Sequence, residues 1–384
     1  MQLTKQSTAP TTVALSSRHK AQDEKSRSLY TVDRVMYPAP TVGLPALDTA
    51  LDSTAMTTYF QSCSVPGAHS VHPLTVVDHE LLDYKPSQRG LIRYELAAAV
   101  GRATTTVFGK LFADPSQLAR VDQILHWLWD DIFAGDLQCS TPQPLGVIPE
   151  LKMLLYLPAE GQFLDEMVTS ERAIYAMDLT ARWLSTLHNS PNRSAHSSPY
   201  RLTKQFDLAN ELTNLAAWAD LVGQRYSDLA DLAQSVLHYL QQHAPELGLD
   251  TQTPIHKDFH YRHVLVERGV KVIDFDELRL GDPNFDLAHF CANLHLLAYR
   301  QQGTPQGLLA LEQRFLAAYA HNRGWSQPTV DANRARFVYF YLYTCLKLAR
   351  QLSLGVGPTP VPTGEERREQ VGMILGQGVG VMRG

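Results

Sequence analysis

Short apolar runs separated by turn residues dominate the chain between about residue 70 and residue 160. Three runs are apolar or alternate between apolar and polar positions, namely LTVVDHELL, GLIRYELAAAV and ATTTVFGKLF. Turn signals at Lys85–Gly90 and Gly101-Arg102 separate them, and this pattern predicts an antiparallel meander. Asp114-Pro115 predicts the start of a helix after the third strand, with Asp114 as its N-cap. The run LKMLLYLPAEG, at 151–161, predicts a further strand.

Helical spacing replaces this pattern further along the chain. Apolar residues recur every three or four positions in six segments, near 174–187, 205–222, 226–243, 284–300, 306–323 and 331–354. A strand-rich half followed by a helix-rich half is typical of an α+β fold and not of alternating βαβ units. We therefore predict an N-terminal tail or extension over 1–70, a strand-rich lobe over 71–157 and a helical lobe over 158–384. The late segment GPTPVPTGEERREQ indicates a solvated loop.

Composition narrows the classes of protein that this pattern admits. Hydrophobic residues make up 44% of 384, which supports a sizeable core, and the formal net charge of −5 gives no reason to expect nucleic acid as a partner. The four cysteines are far apart, which indicates reduced thiols in a cytoplasmic protein. Neither a membrane-spanning run nor a secretory signal is evident, so we expect no membrane association. The oligomeric state leaves no signature in the sequence.

Polar residues concentrate in IHKDFHYRHVLV, at 255–266, just before an apolar run. The continuation HVLVERGVKVIDFD predicts a β-hairpin whose two-residue turn is Arg268-Gly269. With that turn, Glu267 faces Val270 and His263 faces Asp274, at roughly 5 Å between facing Cβ atoms. The hairpin is therefore expected to bring Asp258, His263 and Asp274 together at one end of two strands.

Two chemistries fit this constellation. Asp258, in a loop, has the character of a general base toward a hydroxyl group. Asp274 ends an apolar strand, where a carboxylate is costly unless it is paired or binds a hard cation such as Mg²⁺. Alternatively, these carboxylates only cap turns and pair with nearby arginines, Arg262 or Arg279. A separate alternative is a metal-dependent hydrolase that binds a transition metal through the set His256, Asp258, His260 and His263.

The spacing of these residues favours the first chemistry. His256-Lys257-Asp258, with position 263 five residues further on, has the spacing of the kinase loop H-R-D-x-x-x-x-N, and Asp274-Phe275-Asp276 stands where D-F-G would. The whole run, through VIDFDELRLGDPNFDLAHF, resembles the aminoglycoside phosphotransferase and choline kinase-like family. That family has H-G-D-x-H-x-x-N, I-D-[WF]-[DE] and G-D-P-x-x-D-L-A in this order. The resemblance is specific over about 35 residues and looser from about 75 to 350.

The resemblance implies a bilobal protein kinase-like fold, with an antiparallel-sheet N-terminal lobe and a mostly helical C-terminal lobe. It also implies an ATP-dependent phosphotransferase that moves the γ-phosphate to a hydroxyl of a small molecule. Asp258 would be the catalytic base and Asp274 the Mg²⁺ ligand. GTP in place of ATP stays open, and so does the identity of the acceptor, since a fold hosts many substrates.

Further residues take roles from the same resemblance. Lys110 would neutralise the α- and β-phosphates. The hinge, Leu154–Pro158, would hold the adenine, chiefly through Leu155 and Tyr156. The supporting residues would be His256, which buttresses the loop, together with Asp276, Asp282 and Asp286, the last two bracing the loop and capping the next helix.

The sequence also departs from the family pattern. His263 replaces the asparagine, which implies a weakened metal site, a preference for Mn²⁺, or another oxygen ligand. A glycine-rich phosphate loop is missing, and DYKPSQRG offers Lys85 and Arg89 instead, either for phosphate or as a solvated turn. The helix after Asp114 provides no glutamate for Lys110, only Asp122. These departures keep open a kinase-like protein that binds nucleotide but turns it over weakly.

Overall fold

The chain folds into two compact units. The computed structural model describes residues 43–62, 74–98, 104–192, 200–244, 247–356 and 363–383. One unit comprises the described residues up to Leu118 together with Leu145–Tyr156, and the other comprises Ala119–Pro144 and the residues from Leu157 onward. The turn predicted at Gly101-Arg102 and most of the predicted N-terminal tail lie outside the described residues.

The first unit is built on an antiparallel sheet. Its elements are α1 (Leu47–Ala50), α2 (Ser53–Ser62), β1 (Leu74–Lys85), β2 (Arg89–Ala98), β3 (Thr104–Phe112), the main part of β5 (Pro144–Ile148), and β6 (Met153–Tyr156). The strands follow the order β1-β2-β3-β6-β5, and the pairs β1–β2, β2–β3 and β3–β6 are antiparallel. The predicted meander is therefore confirmed.

Strand β2 shows why this sheet forms. Its residues alternate between buried and half-buried positions, so that Ile92, Tyr94 and Leu96 point into the core. On the other face Arg93 stands opposite Glu80 of β1, and the two side chains form an ion pair of 3.0 Å. The Tyr94 hydroxyl donates a hydrogen bond of 2.7 Å to the carbonyl of Ala50, which ties helix α1 to the sheet.

The second unit is mostly helical. Its helices are the greater part of α3 (Pro115–His126), a π-helical turn (Trp127–Ile132), α4 (Leu164–Met167), α5 (Ala173–Asn189), α6 (Leu208–Arg225), α7 (Ala230–His243), α8 (Asn284–Gln302), α9 (Leu309–Asn322), α10 (Gln327–Leu354) and α11 (Gly364–Arg383). Its short strands are β4 (Cys139–Ser140), β7 (Gln162–Phe163), β8 (Thr253–Ile255), β9 (Val264–Val266), β10 (Val270–Val272) and β11 (Arg279–Gly281). The α+β organisation predicted from the sequence is confirmed.

Helix α8 is the centre of this unit. Nearly every residue from Asn284 to Ala298 is buried, as expected for a helix surrounded by other elements. Its neighbours α6, α7, α10 and α11 share one hydrophobic cluster with it. The first turn of α8 follows Asp282, whose Oδ1 accepts the backbone N–H of Asn284 at 2.9 Å. The carboxylate thus fixes where this central helix begins.

The β9–β10 hairpin differs from the prediction by one residue. Val266 pairs with Val270 and Val264 with Val272, so the turn has three residues, not two. Residue 263 therefore lies opposite Ile273, whose N–H donates to the His263 carbonyl at 3.0 Å. Glycine at 269 allows the backbone of Gln138 to approach the turn, because a Cβ there would lie 2.4 Å from the carbonyl oxygen of Gln138. Strand β4, which follows Gln138, pairs in parallel with β10.

Two further features complete the fold. The loop predicted at 357–370 is wrong from Gly364 onward, since Gly364–Arg383 is helical and buries Val371, Ile374 and Leu375, while 357–362 lie outside the described residues. Cys139, Cys291 and Cys345 are buried free thiols.

Among the helices of the described residues, none has both the length and the apolar character needed to cross a membrane.

Candidate active site

The histidine-rich loop between β8 and β9 is held in place by a buried carboxylate. Asp286, in the first turn of α8, accepts the backbone N–H of His256 at 2.7 Å and that of Lys257 at 2.8 Å. It also accepts a hydrogen bond of 3.0 Å from Nε2 of His188. Burial raises the pKa of Asp286, but the contributions of His188 and His256, through hydrogen bonds and charge, together outweigh burial and keep this pKa below its usual value. An ionised, fully buried carboxylate therefore fixes the start of the loop.

His256 is a structural residue of this loop. Its ring is fully buried, with Nε2 3.1 Å from the carbonyl of Ile273. Its Nδ1 accepts the backbone N–H of Asp258 at 3.3 Å. Burial lowers the pKa of His256. Since both ring nitrogens bind backbone groups, His256 offers no lone pair to a metal ion.

Asp258 is oriented by donors from two distant helices. Its Oδ1 accepts a hydrogen bond of 2.8 Å from Nζ of Lys347, in α10, and lies 3.3 Å from Nε2 of His289, in α8. Burial raises the pKa of Asp258, but the attraction of Lys347 and the hydrogen bond from His289 hold it well below its usual range. The side chain of Asp258 is 30% exposed. It is thus an ionised carboxylate that a substrate can reach.

His263 lies between Asp258 and Asp274. Its Nδ1 is 2.7 Å from the backbone carbonyl of Asp258, so it donates its proton there, and the lone pair of Nε2 remains unprotonated. This Nε2 is 3.7 Å from Oδ2 of Asp274. The three predicted residues therefore come together, although the hairpin register that predicted it is off by one.

Asp274 has an unusual backbone conformation. Its φ of +67° lies in the left-handed region, which residues other than glycine rarely adopt. Such conformations cost of order 1–3 kcal/mol and persist where the surrounding structure imposes them, often at functional sites. In this case the left-handed turn follows β10 directly and aims the carboxylate at His263.

The remaining acidic residues of the motifs act as braces. Oδ2 of Asp282 accepts the backbone N–H of Asp250 at 3.1 Å and a hydrogen bond of 3.1 Å from Arg336. The backbone carbonyl of Asp276 accepts a hydrogen bond from Arg120, in α3. These contacts connect the segment after β10 and the start of α8 to other parts of the helical unit.

The arrangement gives no support to a four-ligand hydrolase site. Ligand atoms of Asp258, His260 and His263 do lie within 4.8 Å of one another. However, Nδ1 of His260 accepts the backbone N–H of Arg262 at 3.1 Å, which leaves the proton of a neutral ring on Nε2, the nitrogen nearest Asp258. Burial holds the pKa of His260 well below its usual value, so the ring is neutral. With His256 also occupied, the four side chains cannot all offer lone pairs to one ion.

The two arginines named in that alternative bind other carboxylates. Arg262 binds Oδ2 of Asp165 at 2.8 Å, and Arg279 binds Glu277. Neither of these contacts involves Asp258 or Asp274. Each arginine thus has a carboxylate partner other than these two.

The sheet unit contains the residues predicted for the nucleotide. Lys110 lies in β3 opposite Leu154 of β6, with its Nζ 5.7 Å from the centroid of Phe112. Leu155 is buried, whereas Tyr156 is half-buried and packs edge-on against Phe108 at 5.8 Å.

The turn between β1 and β2 carries the other predicted cations. Lys85 is exposed, and Arg89 lies 3.6 Å from Oδ2 of Asp83. In the helical unit, Asp122 lies 3.7 Å from Nε2 of His126, one turn further along α3. Burial raises the pKa of Asp122.

Lys347 and His289 were not predicted from the sequence. Both lie in helices, and Lys347 interrupts an otherwise buried stretch of α10 between Leu346 and Leu348. A lysine inside such a stretch is a signal for a buried ion pair. Its partner, however, is 89 residues away along the chain, and only the fold identifies it.

Comparison with known proteins agrees with this geometry. A family model described as a phosphotransferase enzyme family matches residues 99–328. None of the curated proteins matches the chain. Among solved structures, a choline kinase from Cryptosporidium parvum Iowa II aligns with a TM-score of 0.55 at 11% identity, covering 86% of this chain and 96% of that one.

Two other solved structures are similar to the same extent. An amicoumacin kinase in complex with AMP-PNP and Ca²⁺ aligns with a TM-score of 0.54 at 12% identity, over 86% of this chain and 94% of that one. A spectinomycin phosphotransferase in complex with ADP and spectinomycin aligns with a TM-score of 0.51 at 11% identity, over 87% of this chain and 99% of that one. At this identity the alignments concern the fold alone, and they confirm the predicted kinase-like architecture.

Proposed function

The chain belongs to the phosphotransferase enzyme family, as its loop motifs predicted, and from this premise we propose that it is an ATP-dependent small-molecule kinase. It would transfer the γ-phosphate of ATP to a hydroxyl of a small acceptor. One observation carries the proposal. Asp258 and Asp274 lie on either side of His263, whose two ring nitrogens are 3.9 Å and 3.7 Å from their Oδ2 atoms.

Asp258 would orient and deprotonate the acceptor. Its Oδ1 is already bound by Lys347 and His289, so Oδ2 is the oxygen that would receive the hydroxyl proton. As the acceptor oxygen forms its bond to the γ-phosphorus, the bond from that phosphorus to the β,γ-bridging oxygen breaks, and ADP leaves. Because this transition state is loose, a carboxylate of low basicity suffices to hold the hydroxyl in line.

Asp274 and His263 would hold a divalent cation. A carboxylate oxygen and an imidazole lone pair at 3.7 Å are spaced as two ligands of one ion, since each metal–ligand bond measures roughly 2.0–2.2 Å. The metal, when bound, neutralises charge on the phosphates. Imidazole suits Mn²⁺ better than Mg²⁺, so we propose Mg²⁺ or Mn²⁺ with a bias toward the latter.

The sheet unit would bind the rest of the nucleotide. We assign Lys110 to the α- and β-phosphates, and Leu155 and Tyr156 to the adenine. Lys85 and Arg89 are candidates for further phosphate contacts. Either ATP or GTP is compatible with these side chains.

Asp274→Ala is expected to weaken metal-dependent nucleotide binding at least about tenfold, because it removes the charged ligand of the ion. Calorimetric titration of ATP with Mg²⁺, and then with Mn²⁺, measures this in the wild type and in the variant. A matched control is Asp228→Ala, which removes an exposed carboxylate paired with Arg368. Absence of binding to the wild type with either metal, for ATP and for GTP alike, would contradict the proposed function.

His263→Asn is expected to shift the metal preference toward Mg²⁺, because an amide oxygen replaces the imidazole nitrogen. The measurement is kcat/KM with Mg²⁺ and with Mn²⁺ for the wild type and the variant. The ratio of the Mn²⁺ value to the Mg²⁺ value should be severalfold lower in the variant than in the wild type. Identical metal profiles would exclude His263 as a ligand. Binding without ADP release under any condition would instead support a kinase-like protein with weak or no turnover.

A further inference from the structure

Two lysines of the chain surround the proposed base. Lys347 binds Oδ1 of Asp258 at 2.8 Å, and its side chain is 19% exposed. Lys257 directly precedes Asp258 in the loop, and its ammonium group is largely buried. An ammonium group can donate three hydrogen bonds, and Lys347 directs one of them to Asp258. The ammonium group that a substrate can meet beside the base is therefore that of Lys347.

Lys257 fills a site of the kind that binds organic ammonium ions. Its Nζ is 2.5 Å from Oε1 of Glu211 and 5.7 Å from the ring centroids of Phe206 and Phe285. The other oxygen of Glu211 accepts a hydrogen bond of 2.5 Å from the hydroxyl of Tyr343. A carboxylate together with aromatic faces attracts an alkylammonium group. In this protein the site is occupied by the chain's own side chain.

The backbone shows that this occupancy is built into the loop. Lys257 has a φ of +67°, a conformation that lysine rarely adopts, at the position where the family motif quoted above has glycine. The side chain that stands there is anchored to Glu211, of which only 9% is exposed. A cationic acceptor could enter this site only by forcing the Lys257 ammonium group out of its ion pair with that buried carboxylate.

These positions bear on the charge of the acceptor. A cationic group near the reacting hydroxyl would meet the repulsion of Lys347 and find the aromatic site already filled. An anionic group at the same place would meet the remaining N–H donors of Lys347, which form short, charge-assisted hydrogen bonds with carboxylates and phosphates. Charge complementarity of this kind selects among substrates.

We propose that the acceptor carries an anionic group, a carboxylate or a phosphate ester, close to its reactive hydroxyl, and that Lys347 binds this group. The inference rests on the proposed kinase activity. Lys347 acts as a substrate-binding residue that is shared between Asp258 and the acceptor. Amino alcohols and aminoglycosides are excluded as the preferred substrates.

Acceptors that differ in charge test this proposal. ADP release and ³¹P NMR are followed with glycerate and glyceramide, with glycerol 3-phosphate and glycerol, and with ethanolamine, choline and kanamycin. We expect at least one anionic member to exceed its neutral partner about tenfold or more in kcat/KM. Comparison of the carboxylate pair with the phosphate pair identifies which anion is recognised.

Variants of Lys347 assign the preference to this residue. Lys347→Met is expected to reduce the advantage of the anionic acceptor about tenfold, mainly through KM, whereas Lys347→Arg retains most of it. Lys271→Met, in β10, is the matched control and should leave the preference unchanged. Should Lys347→Met fail to fold, the Arg variant and the acceptor pairs with the wild type still decide the question.

Three results would overturn the proposal. They are preferential turnover of a cationic acceptor, an equal loss for anionic and neutral acceptors in Lys347→Met, and no turnover of any anionic acceptor by an enzyme that binds nucleotide. Failure of the kinase proposal itself is distinguishable, because metal-dependent nucleotide binding would then be absent in the calorimetric titration.

Discussion

Asp258→Asn is expected to lower kcat by roughly 10³-fold, within the range that a positioned acid–base group contributes. The amide keeps the size of the side chain but cannot accept the hydroxyl proton, and it removes the charge that balances Lys347. Nucleotide binding should be nearly unchanged, since Asp258 acts on the acceptor. ADP release at saturating acceptor and calorimetric titration of ATP measure the two effects separately.

A control for this variant is Asp178→Asn, which neutralises a half-buried carboxylate paired with the exposed Arg314, remote in sequence from the loop. Its kcat should stay within about twofold of the wild type, because surface ion pairs contribute little. Because the pKa of Asp258 is held well below its usual range, kcat/KM should show no acid limb from this group near neutral pH. Retention of wild-type kcat in Asp258→Asn would remove this residue from the mechanism.

Asp286→Ala is expected to reduce the free energy of unfolding by about 3–5 kcal/mol, the usual effect of breaking a buried polar network by removing one partner. Two backbone N–H groups of the loop and Nε2 of His188 would lose their acceptor. Each unsatisfied donor costs about 1–3 kcal/mol. Urea denaturation of both proteins gives the difference, and kcat should fall with it, because the loop that carries Asp258 loses its support.

The dependence on pH provides a second check on Asp286. Its pKa is lowered in the folded state, so the stability that it contributes is present at neutral pH and is lost as the pH falls through that lowered pKa. The difference between wild type and variant should therefore shrink in acid, where carboxyl groups are protonated. Asp286→Asn, which keeps one acceptor oxygen, is expected to be milder. An unchanged unfolding midpoint in Asp286→Ala would contradict the bracing role.

The general architecture could be predicted because local pattern and tertiary environment agree. The alternation in β2 predicts a strand with one buried face, and the apolar spacing of the later segments predicts helices. The structure has the strand and the helices where they were expected. Capping chemistry was equally informative, since Oδ1 of Asp114 accepts the N–H of Ser116 at 2.8 Å at the predicted start of α3.

The hairpin register could not be predicted, because the deciding contact comes from elsewhere. Arg268-Gly269 suits a two-residue turn, but the turn includes Glu267 as well, whose N–H donates to the carbonyl of Gly269 at 2.9 Å. The glycine is needed for the close approach of Gln138, which lies far back in the sequence. A shift of one residue changes which face each side chain occupies. His263 nevertheless reaches Asp274, owing to the left-handed turn at that aspartate.

The cationic partners of Asp258 lay beyond the reach of motif analysis. Lys347 belongs to a helix that the periodicity predicted correctly, but periodicity does not say which residue of another element a side chain meets. The loop predicted for the C-terminal segment was wrong because local composition was given too much weight. Its prolines and charges indicated a loop, yet the residues from Gly364 onward include enough apolar positions to pack against other helices.

The helical unit is discontinuous along the chain, and this affects how it can be made or divided. Its first piece is Ala119–Pro144, and its second begins at Leu157. Leu145–Tyr156, between the two pieces, belongs to the sheet unit. Strand β4 in the first piece finds its partner β10 only after α5, α6 and α7 have been synthesised. Non-local pairing of this kind is slow, and it leaves a strand edge open until the ribosome has passed β10. A single cut near residue 157 would therefore not yield two self-sufficient domains, and chimaeras with related enzymes would have to exchange both pieces together.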